Sequence, residues 1–203
     1  DDQPRRQPVA CRAPRKHCSG SQHHREQGRH GPIGATQHAD GGSDWNSWHF
    51  RQTSDGQELP DTLRYSKFFP VAWAHDGKGV YYSRYPERDG RGDDAGRPDV
   101  YFHQLGTPQS ADALVYRVTD HATRVPSAEV TRDGRYLIIS LFDGYQQNGV
   151  DLLDLRLPAA NPRPLLSAWD ALYTFIGSRD DELYFQTTNG APLGRVIAVP
   201  ADD

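Results

Sequence analysis

The chain has 203 residues, a net charge of -4 and a sequence pI near 6.1. That length permits one domain with a sizeable core, and the charge gives no general attraction to nucleic acid or to an anionic membrane. No apolar run approaches the ~20 residues that a membrane helix needs, and two cysteines, Cys11 and Cys18, make no disulfide framework.

Composition changes abruptly near Ser43. Residues 1–44 hold no Leu and none of the 4 Trp, 10 Tyr and 7 Phe, yet they carry both Cys and five of the nine His. A segment so poor in apolar area does not offset the entropy of its own ordering, so residues 1–40 are predicted to be disordered. Two origins fit it: a natural polar tail, or an out-of-frame translation of a GC-rich gene. The sudden return of sense at Gly41-Gly42-Ser43-Asp44-Trp45 favours the second. Cys11, His17, Cys18, His23, His24 and His30 invite a metal reading. Their spacing fits no zinc module, and no aromatic or Leu is present to build a core around an ion. The tract is read as incidental, and no metal or other cofactor is expected.

From Trp45 onward the chain reads as all-β. Trp48 through Leu59 has the pattern of two outer strands. Then comes a repeated unit: strand, tight turn, strand. It runs Val71–Ser83 around Asp76-Gly77, Ala128–Ser140 around Asp133-Gly134, and, more weakly, Tyr173–Phe185 around Asp180-Asp181. Asp-Gly tolerates the positive φ of tight hairpins. Further strand material follows each pair: Val100–Leu105 and Leu114–Val118, then Val150–Leu155 and Pro164–Leu166, then Gly194–Val199. The turns recur 57 and then 47 residues apart, at Asp76, Asp133 and Asp180, and the polar stretch from Pro86 to Pro98 explains the longer first interval. Four-stranded units at this period indicate propeller blades, with a β-sandwich as the alternative. Three to four blades are countable, whereas a closed ring needs ~4–8.

The collinear residues from about Gly41 to the C-terminus resemble the propeller of the prolyl oligopeptidase family. The likeness rests on Glu58-Leu59-Pro60-Asp61, Lys67-Phe68, Trp73-Ala74-His75-Asp76-Gly77-Lys78-Gly79, Ser83-Arg84-Tyr85-Pro86, Tyr101 through Ser110, Asp133-Gly134-Arg135-Tyr136 and Leu172 through Gly177. The resemblance implies an incomplete seven-bladed β-propeller over residues 41–203. Such a propeller caps an α/β-hydrolase domain in a serine peptidase that cleaves short peptides after proline. It further implies that this chain is an N-terminal portion of the cap, that the hydrolase domain lies elsewhere, and that the parent works in the cytoplasm, a periplasmic site also being compatible. The family would place a strand pair just before Gly41, where composition offers none.

Catalysis of that kind needs a nucleophile in Gly-x-Ser-x-Gly, a His base and an acid. The nearest match, Gly41-Gly42-Ser43-Asp44-Trp45, ends in Trp rather than Gly, so no catalytic residue is expected in these 203 residues. His75 and His103 receive no chemical role, and Asp93-Asp94 and Asp180-Asp181 read as solvated loop charges. By resemblance, three positions face the substrate of the parent enzyme. Phe68 keeps the family's aromatic, Val125 stands where a larger flexible residue is common, and Tyr145 stands where a small thiol occurs. The competing functions are a stand-alone propeller that binds another protein and the remnant of a broken gene. The specific run Tyr101–Ser110 favours the peptidase reading over the scaffold.

Overall fold

Each tight turn forms for a local reason. Asp76 Oδ1 accepts the Lys78 amide at 3.0 Å, and Asp133 Oδ1 accepts the Arg135 amide at 3.1 Å. Gly77 and Gly134 follow at φ +69° and +74°, where a side chain would be strained. A computed structural model describes residues 31–39, 43–87, 96–119, 121 and 123–202, together with the backbone of 25–27. In it these turns join the inner two strands of successive blades.

Four antiparallel sheets follow one another in chain order. Blade I contains β1 (Arg25–Gln27), β2 (Ile33–Ala39), β3 (Trp45–Gln52) and β4 (Glu58–Lys67). Blade II contains β5 (Ala72–Trp73), β6 (Gly79–Arg84), β7 (Asp99–Gln104) and β8 (Ala113–Tyr116). Blade III contains β9 (Val125–Val130), β10 (Tyr136–Phe142), β11 (Asn148–Asp154) and β12 (Arg163–Leu166). Blade IV has three strands, β13 (Tyr173–Arg179), β14 (Glu182–Thr187) and β15 (Arg195–Pro200). Among the described residues every sheet is a simple meander, with no strand crossing between sheets. That separates a partial propeller from the Greek-key connections of a sandwich.

The expectation that residues 1–40 supply no strand needs correction. Ile33–Ala39 forms β2, pairs along its whole length with β3, and is itself paired with β1. An inner strand here needs no Leu or aromatic of its own. Ala35 lies opposite Phe50 and is fully buried, because Trp48 and Phe50 already fill the seam with blade II. Residues 1–24 and 28–30, with Cys11, His17, Cys18, His23, His24 and His30, lie outside the described residues.

Three apolar seams hold the blades together. Trp48, Phe50, Leu63, Val80 and Tyr82 fill the first, Val100, Leu137, Ile139 and Leu141 the second, and Ile138, Val150, Leu152, Leu183 and Phe185 the third. Burial follows position in the row of blades. Tyr136, Leu137, Ile138 and Ile139 of β10 are all buried, because blade III has neighbours on both faces. Strand β14 alternates instead, Leu183, Phe185 and Thr187 inward against Glu182, Tyr184 and Gln186 outward. The large apolar residues thus turn toward neighbouring blades, and Thr36, His49 and Arg51 stand on the opposite face of blade I from Ala35, Trp48 and Phe50.

One buried polar contact accompanies each seam. Ser83 Oγ donates to the Pro126 carbonyl at 2.6 Å between blades II and III. Asn148 grips the Tyr173 backbone twice, at 2.7 and 3.0 Å, between blades III and IV. Between blades I and II, His103 lies between Asp61 and Asp112. The innermost strands β5, β9 and β13 line an open trough of about 620 Å³ with Trp73, Glu129, Thr131 and Ile176.

Gly134 offers a direct test of the turn geometry. A Cβ there would be strained at φ +74° and would also overlap the His75 side chain of the neighbouring blade. At Gly106, φ +84°, a Cβ meets nothing within 4 Å. Urea denaturation should show Gly106→Ala losing about 1 kcal/mol and Gly134→Ala losing about 2–4 kcal/mol, the excess being inter-blade overlap. Equal losses would mean that the two turns do not pack together.

Candidate functional site

The meander sorts its connections onto two faces. Links from the outermost strand of one blade to the innermost strand of the next emerge at the same end as the loops between second and third strands. Phe68 lies in the link after β4, Val125 opens β9, and Tyr145 lies in the loop between β10 and β11. All three therefore stand on one face. They are grouped around an aromatic stack: Phe69, next to Phe68, lies over Phe142 with ring centroids 5.3 Å apart. Phe142 is in turn the ladder partner of Val125 and stands three residues before Tyr145.

Phe68 is held in an uncommon way. Its φ is +61°, a left-handed conformation that costs a non-glycine residue ~1 kcal/mol, and 62% of it is exposed. Tyr65, three residues earlier, also has φ +61°. Its carbonyl accepts the Tyr85 amide at 2.8 Å, and its hydroxyl donates to Glu87 at 2.8 Å. That hydrogen bond to a carboxylate keeps the Tyr65 phenol protonated and raises its pKa. Beside Phe68, the Lys67 ammonium sits 4.0 Å from the centre of the Trp45 ring, which meets Tyr85 edge-on at 5.4 Å. The surrounding contacts thus fix the link while the Phe68 ring projects into solvent. The strained backbone under an exposed aromatic makes Phe68 a candidate contact position.

The other two positions differ. Tyr145 is 93% exposed at a loop tip, and Val125 is half-buried. Next to Val125 the Arg124 guanidinium lies 3.6 Å from the centre of the Trp169 ring. Trp169 lies close over β11 because Gly149 has no side chain: a Cβ there would come within 2.7 Å of the indole. The face therefore presents apolar rings with two cations, Lys67 and Arg124, set over indoles. Sequence reasoning did not single out Phe69, Phe142, Arg124 or Trp169. They come from different blades, and no spacing in the chain announces their meeting.

The remaining candidates are placed as follows. Ser43 Oγ accepts the Trp45 amide at 3.1 Å and so shapes the start of β3. Asp180 is itself the left-handed turn residue between β13 and β14, at φ +54°, and Asp181 pairs with Arg135 of blade III. Asp93-Asp94 lies outside the described residues. His75 is exposed in the turn between β5 and β6. His103 is buried, with both ring nitrogens directed at carboxylates. Among the described residues no three His, Cys, Asp or Glu side chains form an arrangement that would hold a metal.

Comparison with known proteins gives a consistent result. Residues 31–203 match the family profile described as prolyl oligopeptidase, N-terminal beta-propeller domain. The match starts just before β2. The prolyl oligopeptidase ophP of Omphalotus olearius is 31% identical over 194 residues, covering 86% of this chain and 26% of that protein. The prolyl endopeptidase of Elizabethkingia meningoseptica is 31% identical over 170 residues, covering 82% of this chain and 24% of the relative. A prolyl endopeptidase structure from a study of inter-domain dynamics superposes with a TM-score of 0.79 at 30% identity, over 89% of this chain and 26% of the other. Prolyl oligopeptidase B of Galerina marginata, bound to a 35-residue substrate, shares the fold with a TM-score of 0.81 at 23% identity, over 90% of this chain and 28% of that one. The chain thus spans about a quarter of the length of the curated relatives it matches.

If Phe68 is exposed for contact rather than for packing, Phe68→Gly should leave stability within about 0.5 kcal/mol of the parent. Relief of the left-handed strain then offsets the added freedom of the unfolded chain. Phe142→Ala should cost about 2 kcal/mol, because it removes half of the inter-blade stack. Urea midpoints of the two variants measure this, and a large loss at Phe68 would make the residue structural.

Proposed function

Because the chain belongs to the prolyl oligopeptidase N-terminal β-propeller family, we propose that it forms part of the substrate-gating cap of a serine oligopeptidase that cleaves short peptides after proline. The 203 residues contain no Gly-x-Ser-x-Gly, so the chemistry in this reading belongs to an α/β-hydrolase domain that sits against the face bearing Phe68. The reading extends to a cytoplasmic site of action.

Two jobs fall to the propeller under this proposal. One is exclusion. A folded domain of 100 residues has a radius of gyration of ~13 Å, too wide for a trough between packed inner strands, whereas an extended peptide passes. The other is recognition. Phe68, with Val125 and Tyr145, would cover apolar side chains of the residues preceding proline. Burying ~80 Å² of apolar surface contributes about 2 kcal/mol, or roughly thirtyfold in affinity. The observation that carries this reading is the strained, exposed Phe68 beside the Phe69–Phe142 stack.

The test joins this chain to a hydrolase domain of the family and follows release of a chromophore from a short peptide ending in proline. The chain alone should give no turnover. The joined protein should turn over, and Phe68→Ala within it should lower kcat/KM by about tenfold, mainly through KM, with the fold intact. Hydrolysis by the chain alone that disappears in Ser43→Ala would defeat the proposal. So would a joined enzyme indifferent to Phe68.

A further inference from the structure

The seam between blades I and II differs in kind from the other two. The buried polar contacts named at seams II/III and III/IV are neutral ones, Ser83 on a carbonyl and Asn148 on backbone. At seam I/II the contact is ionic. His103 of β7 is 1% exposed in its side chain. Its Nδ1 lies 2.6 Å from Asp112 Oδ1 and its Nε2 lies 3.1 Å from Asp61 Oδ1, and both carboxylates are equally shielded, at 0% and 1%.

The cluster joins two elements that the chain does not place side by side. Asp61 belongs to β4, the outermost strand of blade I. Asp112 closes the segment that leaves β7 and runs through the 3-10 turn Gln109–Ala111. That segment straps β4 from outside. Gly106 N donates to Asp61 Oδ1 at 2.5 Å, and the Gln109 side chain bonds the Arg64 backbone in both directions at 3.0 and 3.2 Å. Elements packed around the ring contribute few further charges. From β6, the Tyr82 hydroxyl donates to Asp112 Oδ2 at 2.6 Å, with Arg84 beyond it. From β3, the Phe50 ring stacks on the imidazole at 6.2 Å between centroids. Burial, and then the bond to Asp112, push the Tyr82 phenol upward, so Tyr82 stays a donor at ordinary pH.

A neutral imidazole donates one hydrogen bond and an imidazolium donates two. Two carboxylates on opposite ring nitrogens therefore call for the imidazolium. The need is sharper at Asp61, whose Oδ2 is buried without a hydrogen-bond partner. With the ring proton gone, that carboxylate faces a lone pair inside a buried seam, and leaving a buried charge uncompensated is far more costly than the intact pair is stabilising. We infer that Asp61, His103 and Asp112 form a proton-operated latch that fastens the outer strand of blade I to the strap of blade II while the imidazole is protonated, and releases it when the proton leaves.

Burial works against the charged ring. The hydrogen bond and charge of Asp112, followed by those of Asp61, outweigh it and hold the His103 pKa above the ordinary value of about 6.5. The sign follows from linkage. The folded pKa is raised, so the stabilisation is fully present below about pH 6.5 and is lost as pH rises through the folded value. The latch opens on the alkaline side.

The test uses the 203-residue chain. Imidazole nitrogen and proton resonances of His103, assigned by their loss in His103→Gln, should show both nitrogens protonated at about pH 6, with a titration midpoint above the ordinary value of about 6.5. Amide protection factors at Leu63 and Gly106 should fall in step with that titration, while protection at Tyr173, which Asn148 holds through neutral hydrogen bonds, should stay flat. Asp61→Asn keeps the shape and removes one charge. It should lower the titration midpoint of His103 by at least about one pH unit, a tenfold change in proton affinity. A single neutral tautomer at about pH 6, protection at Gly106 that ignores pH, or an unchanged midpoint in Asp61→Asn would each overturn the latch. The wild-type titration decides the matter even if His103→Gln does not fold.

Discussion

A β-sheet with two apolar faces is stable only between two neighbours, and this constraint organises the whole molecule. Blade III meets it completely: Leu137, Ile139 and Leu141 pack toward blade II, Ile138, Val150 and Leu152 toward blade IV. Its strands are accordingly buried at consecutive positions. Blades I and IV have one described neighbour each, and their strands β3 and β14 alternate. The chemistry of each strand thus reflects how many blades lie beside it. Hydrophobic burial at about 25 cal/mol per Å² supplies the attraction, and the meander supplies the order in which the faces meet.

The same packing leaves one rim of connections outside the seams. Seams need the strand interiors, so the connections at the ends carry other duties. The Phe69–Phe142 stack ties the link of one blade pair to the end of β10, and Arg124 over Trp169 does the same one seam further on. With these contacts holding the backbone, Phe68 is kept in a left-handed conformation with its ring in water. A rigid scaffold that presents a strained, exposed aromatic loses little entropy when a ligand covers it.

Polar fasteners give the seams their individuality. Apolar contact specifies that blades associate but only loosely specifies where along the strands they stop. A buried hydrogen bond fixes the register, because its loss leaves an unsatisfied group. Ser83 and Asn148 do this without charge. His103 does it with a proton between two buried carboxylates, which ties the strap around β4 to solution conditions.

The family resemblance and the local pattern were both legible in the residues. Two Asp-Gly turns and an Asp-Asp turn, 57 and 47 residues apart and flanked by β-branched and aromatic runs, indicate hairpins from short-range chemistry alone, and the four-strand unit follows from the strand material between them. The likeness in Glu58–Asp61 and Tyr101–Ser110 was visible too, but not that Asp61, His103 and Gly106 are joined by hydrogen bonds across two blades. Strand β2 was missed because an inner strand can be made of small residues when its neighbour supplies the bulk, as Ala35 does opposite Phe50. The rim was only partly readable. Phe68, Val125 and Tyr145 were named by resemblance, but their common face, the stack beside them and the left-handed strain at Phe68 arise between blades. Turns are decided by residues in contact along the chain, so the sequence alone determined them. The trough, the rim and the latch are decided by residues up to tens of positions apart, brought together by the packing of whole sheets, so only the tertiary structure could assign them.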